Sequence, residues 1–197
     1  MTIQHRVEPF KILNAETAPE GSKPYIEQAE AAFGLLPNVE GVMAQAPALL
    51  ASYMTAWDHF DKTSLTPAER QVVYQAANFE NNCQYCMPWH TILSENAGID
   101  PEDVEALRNG SNLNNEKYEV LRVFARDLVR TGGSIEPNAL ASFLKAGYNQ
   151  QLALEVILGL AVKTMSNYTN SIAQTPLDEP AQPKAWVKPS LRGEFLT

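Results

Sequence analysis

Apolar residues in this chain recur at three- and four-residue spacings, the signature of helices that bury one face. Leu49, Leu50, Tyr53, Met54 and Trp57 share a face of a segment over 39–60 that is interrupted at Pro47. Val120, Leu121, Phe124 and Leu128 do the same over 116–130, and Leu140, Phe143 and Leu144 over 137–146. Start signals stand where these patterns begin. Thr66 can cap, Pro67 suits a first helical position and Glu69 completes a capping box; Asp100 and Pro101 repeat the first two. Stop signals follow at Gly34, Asn81-Asn82, Gly98, Asn109-Gly110 and Gly132-Gly133. Further helices are predicted over 25–33, 66–82, from about 83–85 to 98, and 100–110. No strand pattern and no convincing repeat interrupts them. The pattern predicts an all-α fold, one domain of seven to eight helices over 25–173.

The longest apolar pattern runs over 150–172, where Leu152, Val156, Leu160, Lys163 and Asn167 stack down one side. Gly159 and Ala161 allow another helix to come close. Such a segment belongs at the domain centre or at a subunit interface. Residues 1–24, with Pro9, Pro19, Gly21 and Pro24, read as a partly extended lead-in. Residues 174–197 hold Pro176, Pro180, Pro183 and Pro189 and are predicted to be extended. Their Trp186, Val187, Leu191, Phe195 and Leu196 are too apolar for a solvated tail. That tail is expected to pack on the domain or on a neighbouring subunit, and a homo-oligomer is expected.

Charge and composition narrow the function. The 197 residues carry a net charge of −8, against the basic surface that nucleic acid demands. No apolar run approaches the ~20 residues of a membrane span. Met1 to Arg6 lack the apolar core of a signal peptide, so the cytoplasm is the expected location. In that compartment a pair of cysteines is more often redox-active than a structural staple.

The only two cysteines fall in Glu80-Asn81-Asn82-Cys83-Gln84-Tyr85-Cys86-Met87-Pro88-Trp89-His90. On a helix, Cys83 and Cys86 at i, i+3 and Cys86 and His90 at i, i+4 share a face. Glu80 joins them if the helical path continues upstream. Pro88 fits a helix that starts near 83–85. The thiols then sit at its N-terminus, where the helix dipole favours thiolate, and a protonated His90 would push the same way. Other readings are weaker. Two free cysteines can be buried small hydrophobes. A zinc site would need a fourth ligand from His5, His59 or a carboxylate, none at motif spacing. Haem attachment needs histidine where Met87 stands, and a thioredoxin-like site needs a preceding strand. No metal or cofactor is expected.

This dithiol motif resembles that of the carboxymuconolactone decarboxylase superfamily, in its alkylhydroperoxidase AhpD-like, peroxidase-related branch. The resemblance extends over roughly 33–180. It includes Leu36-Pro37, Ala46-Pro47, the run from Leu65 to Val73, the Glu80 to Cys83 join, Asn167-Tyr168-Thr169-Asn170 and Thr175-Pro176-Leu177-Asp178. It implies an all-helical fold, homo-oligomerisation and thiol-dependent reduction of hydroperoxides. It implies that Cys86 attacks the peroxide, Cys83 resolves to a disulfide and His90 relays protons. The family's relay glutamate stands twelve residues before the first cysteine, where this chain has Gln71, which cannot exchange a proton. Glu69 is engaged in a helix cap, so Glu80 is the candidate replacement. Tyr85 and Trp89 flank the dithiol and either shield it or simply pack. The expected partners are a small hydroperoxide and a thiol or dithiol reductant, with neither nucleic acid nor membrane. Two alternatives stay open: a redox sensor or interaction module that does not turn over, and a superfamily enzyme acting on another small molecule.

Overall fold

The structure is a computed structural model that describes residues 8–191. Among those residues it contains nine α-helices and no strand. They are α1 (Lys23–Phe33), α2 (Asn38–Met43), α3 (Pro47–Asp61), α4 (Pro67–Glu80), α5 (Cys86–Asn96), α6 (Pro101–Asn109), α7 (Glu116–Thr131), α8 (Pro137–Lys145) and α9 (Gln150–Ala173). The expected all-α fold is therefore present. The predicted seven to eight helices become nine because the break before Pro47 is complete: Ala46 leaves the helical region at φ −126°, ψ 87°.

The caps form as their residue types dictate. Thr66 Oγ1 accepts the Glu69 N–H at 3.2 Å while Glu69 Oε2 accepts the Thr66 N–H at 2.9 Å. Asp100, Asn115 and Asn149 cap α6, α7 and α9 through their side chains.

Helix α4 is the central element, packed against α5, α6, α7 and α9. Its residues from Val72 to Asn78 are buried without interruption, so it presents no solvent face over that stretch. Helix α9 crosses α3 and α4 closely. Gly159 makes this possible, because a Cβ there would lie 2.5 Å from Phe60 Cζ.

The described part of the C-terminal segment, residues 174–191, is not extended throughout. It turns through 3-10 geometry over Glu179–Lys184 and Pro189–Leu191. It packs on α5 and α6 of the same chain, with Trp186 buried and donating Nε1–H to the Arg108 carbonyl at 2.8 Å. His5, Phe195 and Leu196 lie outside the described residues. Among the described residues no helix is long and apolar enough to cross a membrane. The outward side of α9 keeps Leu154, Ile157, Tyr168 and Ile172 exposed.

Gly159→Ala tests the α9 crossing. Phe60 is fully buried with its ring centroid 5.0 Å from that of Tyr74, so it has nowhere to retreat. The added methyl should cost about 1–3 kcal/mol, read from the urea unfolding midpoint.

Candidate active site

The dithiol sits where α4 ends and α5 begins. Asn82 takes the left-handed conformation at φ 51°, and the Cys83 N–H reaches back to the Asn78 carbonyl at 2.9 Å. With Asn82 N–H bonded to the Phe79 carbonyl at 3.2 Å, this is a Schellman ending, which asparagine tolerates. Helix α5 begins at Cys86 rather than at Cys83, so Cys86 alone occupies its first turn. The Cys83 carbonyl accepts from the Met87 N–H at 3.1 Å and ties the turn to the helix.

The two sulfurs have different surroundings. The Cys86 backbone N–H points at Cys83 Sγ at 3.3 Å. Asn170 Nδ2 lies 3.3 Å from Cys86 Sγ and 3.9 Å from Cys83 Sγ, and Ser166 Oγ lies 3.8 Å from Cys86 Sγ. Burial works against a charge on Cys86. Hydrogen bonding from the Cys83 thiol and the Lys163 ammonium outweigh it and bring the Cys86 pKa down to about 5. The Cys83 thiol is held well above the ordinary range, because it donates to Cys86 and is itself buried. The pair is thus one thiolate, at Cys86, and one thiol, at Cys83.

The expected arrangement around His90 is corrected in two ways. First, its pKa is driven well below the usual value by burial and by Lys163. It is neutral and cannot support the thiolate as a cation; Lys163 does that. Lys163 Nζ lies 2.9 Å from His90 Nε2, and an ammonium has only donors, so Nε2 accepts. Nδ1 then carries the proton and donates it to Gln71 Oε1 at 2.8 Å. Second, Glu80 does not reach His90. Its Oε2 accepts from Arg130 Nε at 2.7 Å, on the α7 side of α4. Both nitrogens of His90 are already engaged, and the Asn81-Asn82 turn redirects the chain between Glu80 and the dithiol. Gln71, at the position where the resemblance expects a glutamate, keeps the orienting contact and lacks the proton.

Cys86, His90 and Lys163 line a narrow apolar cavity of about 30 Å³. That volume holds about two water-sized groups. Its walls include Phe33, Tyr53, Trp57, Tyr85 and Trp89. Tyr53 and Trp57, which the pattern marked as core, thus also form a wall, and Trp57 stacks on the His90 ring at 5.7 Å and 26°. Tyr85 and Trp89 are held by Asp178: the Tyr85 hydroxyl donates to Oδ2, and Trp89 Nε1–H does so at 2.9 Å. Cys83 lies off this cavity and borders a separate polar cleft with Asn82, Gln84, Asn170 and Thr175.

Two residues of the site had no assigned role at the level of sequence. Lys163 is 1% exposed, and its signal was a lone lysine on the apolar stripe of α9. Glu40 is 2% exposed and also lines the cavity, and its signal was a lone acid among Val39, Gly41, Val42 and Met43. Among the described residues no group of three or more His, Cys, Asp and Glu is placed to hold a metal ion.

Lys163→Met should raise the Cys86 pKa from about 5 toward the ordinary thiol value near about 8.5. The pH dependence of alkylation by iodoacetamide reads this directly, and an unchanged midpoint would remove Lys163 from the account.

Residues 44–115 match the Carboxymuconolactone decarboxylase family. No curated protein matches the chain. Solved structures with the same fold include an alkylhydroperoxidase AhpD core, an uncharacterized peroxidase-related protein from Ralstonia eutropha, at 16% identity and TM-score 0.78, covering 89% of this chain and 96% of that one. A cysteine-to-alanine variant of the debrominase Bmp8 in complex with 2,3,4-tribromopyrrole is similar at 15% identity and TM-score 0.75, covering 90% and 96%. An uncharacterized peroxidase-related protein from Silicibacter sp. is similar at 18% identity and TM-score 0.73, covering 90% and 97%.

Proposed function

We propose that this chain, whose residues 44–115 match the Carboxymuconolactone decarboxylase family, is a thiol-dependent reductase of small hydroperoxides. The observation that carries the reading is Cys86, its pKa drawn down to about 5, at the wall of a narrow apolar cavity. A hydrogen-bonded second thiol stands beside it.

The chemistry follows from the charges. Cys86 thiolate attacks the terminal oxygen of ROOH, and the O–O bond breaks with its electron pair passing to the RO fragment. That fragment leaves as ROH once protonated, and Cys86 becomes a sulfenic acid. The Cys83 thiol attacks the Cys86 sulfur, water leaves and a disulfide forms. An external thiol or dithiol returns two electrons and two protons. The polar cleft at Cys83 suits that approach, since attack on Cys83 expels Cys86, the better leaving group. His90, oriented by Gln71, anchors Lys163 beside the thiolate. Free thiols of this kind belong in a reducing compartment such as the cytoplasm, where the activity would be antioxidant.

The first assay adds one equivalent of tert-butyl hydroperoxide to the reduced protein. Both thiols should disappear without a sulfinic acid mass. Cys86→Ser should abolish the reaction, and Cys83→Ser should leave Cys86 open to over-oxidation. Two thiols still titratable would overturn the reading. The peroxide rate should fall as pH drops through about 5, because protonation removes the nucleophile. Sustained turnover with a recycled reductant separates an enzyme from a redox sensor.

A second substrate class is favoured by the aromatic walls and the likeness to the debrominase: a flat halogenated ring, which the cavity would have to widen to admit. The Cys86 thiolate takes the halogen, the ring carbon takes a proton, and Cys83 then expels halide as the disulfide forms. Bromide release from a bromopyrrole, assayed beside peroxide consumption, decides between them.

The exposed apolar side of α9 supports a homo-oligomer as the working form. Light scattering should give at least a dimer at micromolar concentration; a stable monomer would sink this.

A further inference from the structure

Reduction of a hydroperoxide needs a proton for the departing oxygen, and its donor should not be the cation that holds the thiolate. Lys163 is that cation: its ammonium donates to His90 Nε2 and lowers the Cys86 pKa. His90 is neutral, and its single N–H is donated to Gln71 away from Lys163. Gln71 has no proton to give. Glu80 is paired with Arg130. The Cys83 thiol is engaged with Cys86 and is consumed in the next step.

One carboxyl group lines the cavity. Glu40 enters it from α2, and its Oε2 is buried with no hydrogen-bond partner. An unsatisfied buried carboxyl oxygen is costly, and more so when charged. Burial without a paired cation favours the neutral acid, which carries a proton that can be aimed at a ligand. Glu40 also lines a second, wider pocket with Gln28, Asp58 and Gln71, and the two pockets share Phe33, Trp57 and Leu93 as further wall. Its carboxyl therefore stands between the reaction cavity and a region from which a proton can be restored.

We propose that Glu40 is the general acid of this site, protonating the oxygen that leaves when Cys86 attacks a hydroperoxide. The assignment rests on the hydroperoxide reading above. The balance is complete. Cys86–S⁻, ROOH and Glu40–COOH give Cys86–SOH, ROH and Glu40–COO⁻. Disulfide formation with Cys83 then releases water. The two protons delivered with the reducing electrons restore the Cys83 thiol and the Glu40 acid, and Cys86 returns as thiolate.

The electrostatics agree with the geometry. The titratable groups facing Glu40 are Tyr53 from α3, Tyr85 before α5, Cys86 and His90 from α5, Lys163 from α9 and Asp178, with Asp58 and Asp61 of α3 across the second pocket. Burial raises the Glu40 pKa to about 8; Cys86 and Asp178 push it the same way and Lys163 opposes them. Between about 5 and about 8 the nucleophile is therefore ionised while the acid is protonated. The rate should be bell-shaped in pH, with Cys86 setting the acid side and Glu40 the alkaline side.

Glu40→Gln tests this, since the amide matches the size and neutrality of the protonated acid. Three reactions are compared by stopped flow on reduced protein. With tert-butyl hydroperoxide, whose alkoxide needs a proton, the rate should fall about 100-fold or more, and the alkaline limb near 8 should vanish. With peracetic acid, which expels a stable carboxylate, the fall should be under about fivefold, because general-acid help matters least for a good leaving group. With iodoacetamide, which needs thiolate and no proton, the rate should be unchanged, showing that fold and nucleophile are intact. Equal slowing of all three reactions would make Glu40 a positioning residue and overturn the assignment. So would a variant that keeps the wild-type rate and alkaline limb. A wild-type protein that reduces neither peroxide overturns the hydroperoxide reading, and the Glu40 assignment with it.

Discussion

A buried ammonium governs the chemistry of this molecule. Lys163 is enclosed by α3, α4, α5 and α9, and its charge is met by the neutral His90 nitrogen, the faces of Trp57 and Tyr74, and the Cys86 thiolate. Taking a cation out of water costs several kcal/mol unless partners replace the lost hydration. Here the replacement fixes the state of each partner. The ammonium forbids a proton on His90 Nε2, which forces the tautomer whose Nδ1–H goes to Gln71. It also makes a thiolate at Cys86 the natural counter-ion. The tight crossing at Gly159 belongs to the same arrangement, since α9 must lie close against α3 for Lys163 to reach the ring of His90.

Around that charge the dithiol is divided. Cys86 faces an apolar cavity and Cys83 a polar cleft, although only two residues separate them. The division arises from the turn between α4 and α5. Asn82 ends one helix, and Cys86 begins the next, so the two thiols leave the backbone in different local conformations. The thiolate therefore faces a low-dielectric space and the thiol a more polar one. The same burial acts oppositely on two neighbouring acids. Cys86 has donors and a cation within reach and stays ionised, whereas Glu40 has an orphaned oxygen and stays protonated.

Most of the fold was legible in the sequence, for local physical reasons. Capping boxes, proline at helix starts, left-handed glycines and three-to-four spacing all act within a few residues, so each helix could be read from its own segment. The completeness of the break at Pro47 was not local, since it depends on where α2 packs. The 3-10 turns of residues 174–191 were not legible, because they are held by contacts with α5 and α6.

The sequence by itself determined the all-helical class, the helix order and the placing of Cys86 and His90 one turn apart, since i, i+4 spacing and capping are properties of a short stretch of chain; Cys83, before the start of α5, faces elsewhere. Only the tertiary structure decided the charges. Glu80 sits three residues before Cys83, yet the turn at Asn82 leaves it with Arg130, 50 residues away. Lys163 lies 73 residues after His90 and still contacts it, and Glu40 enters the cavity from a short helix far upstream. Protonation depends on burial and on neighbours brought in from distant segments, and neither is encoded at the position of the titrating residue.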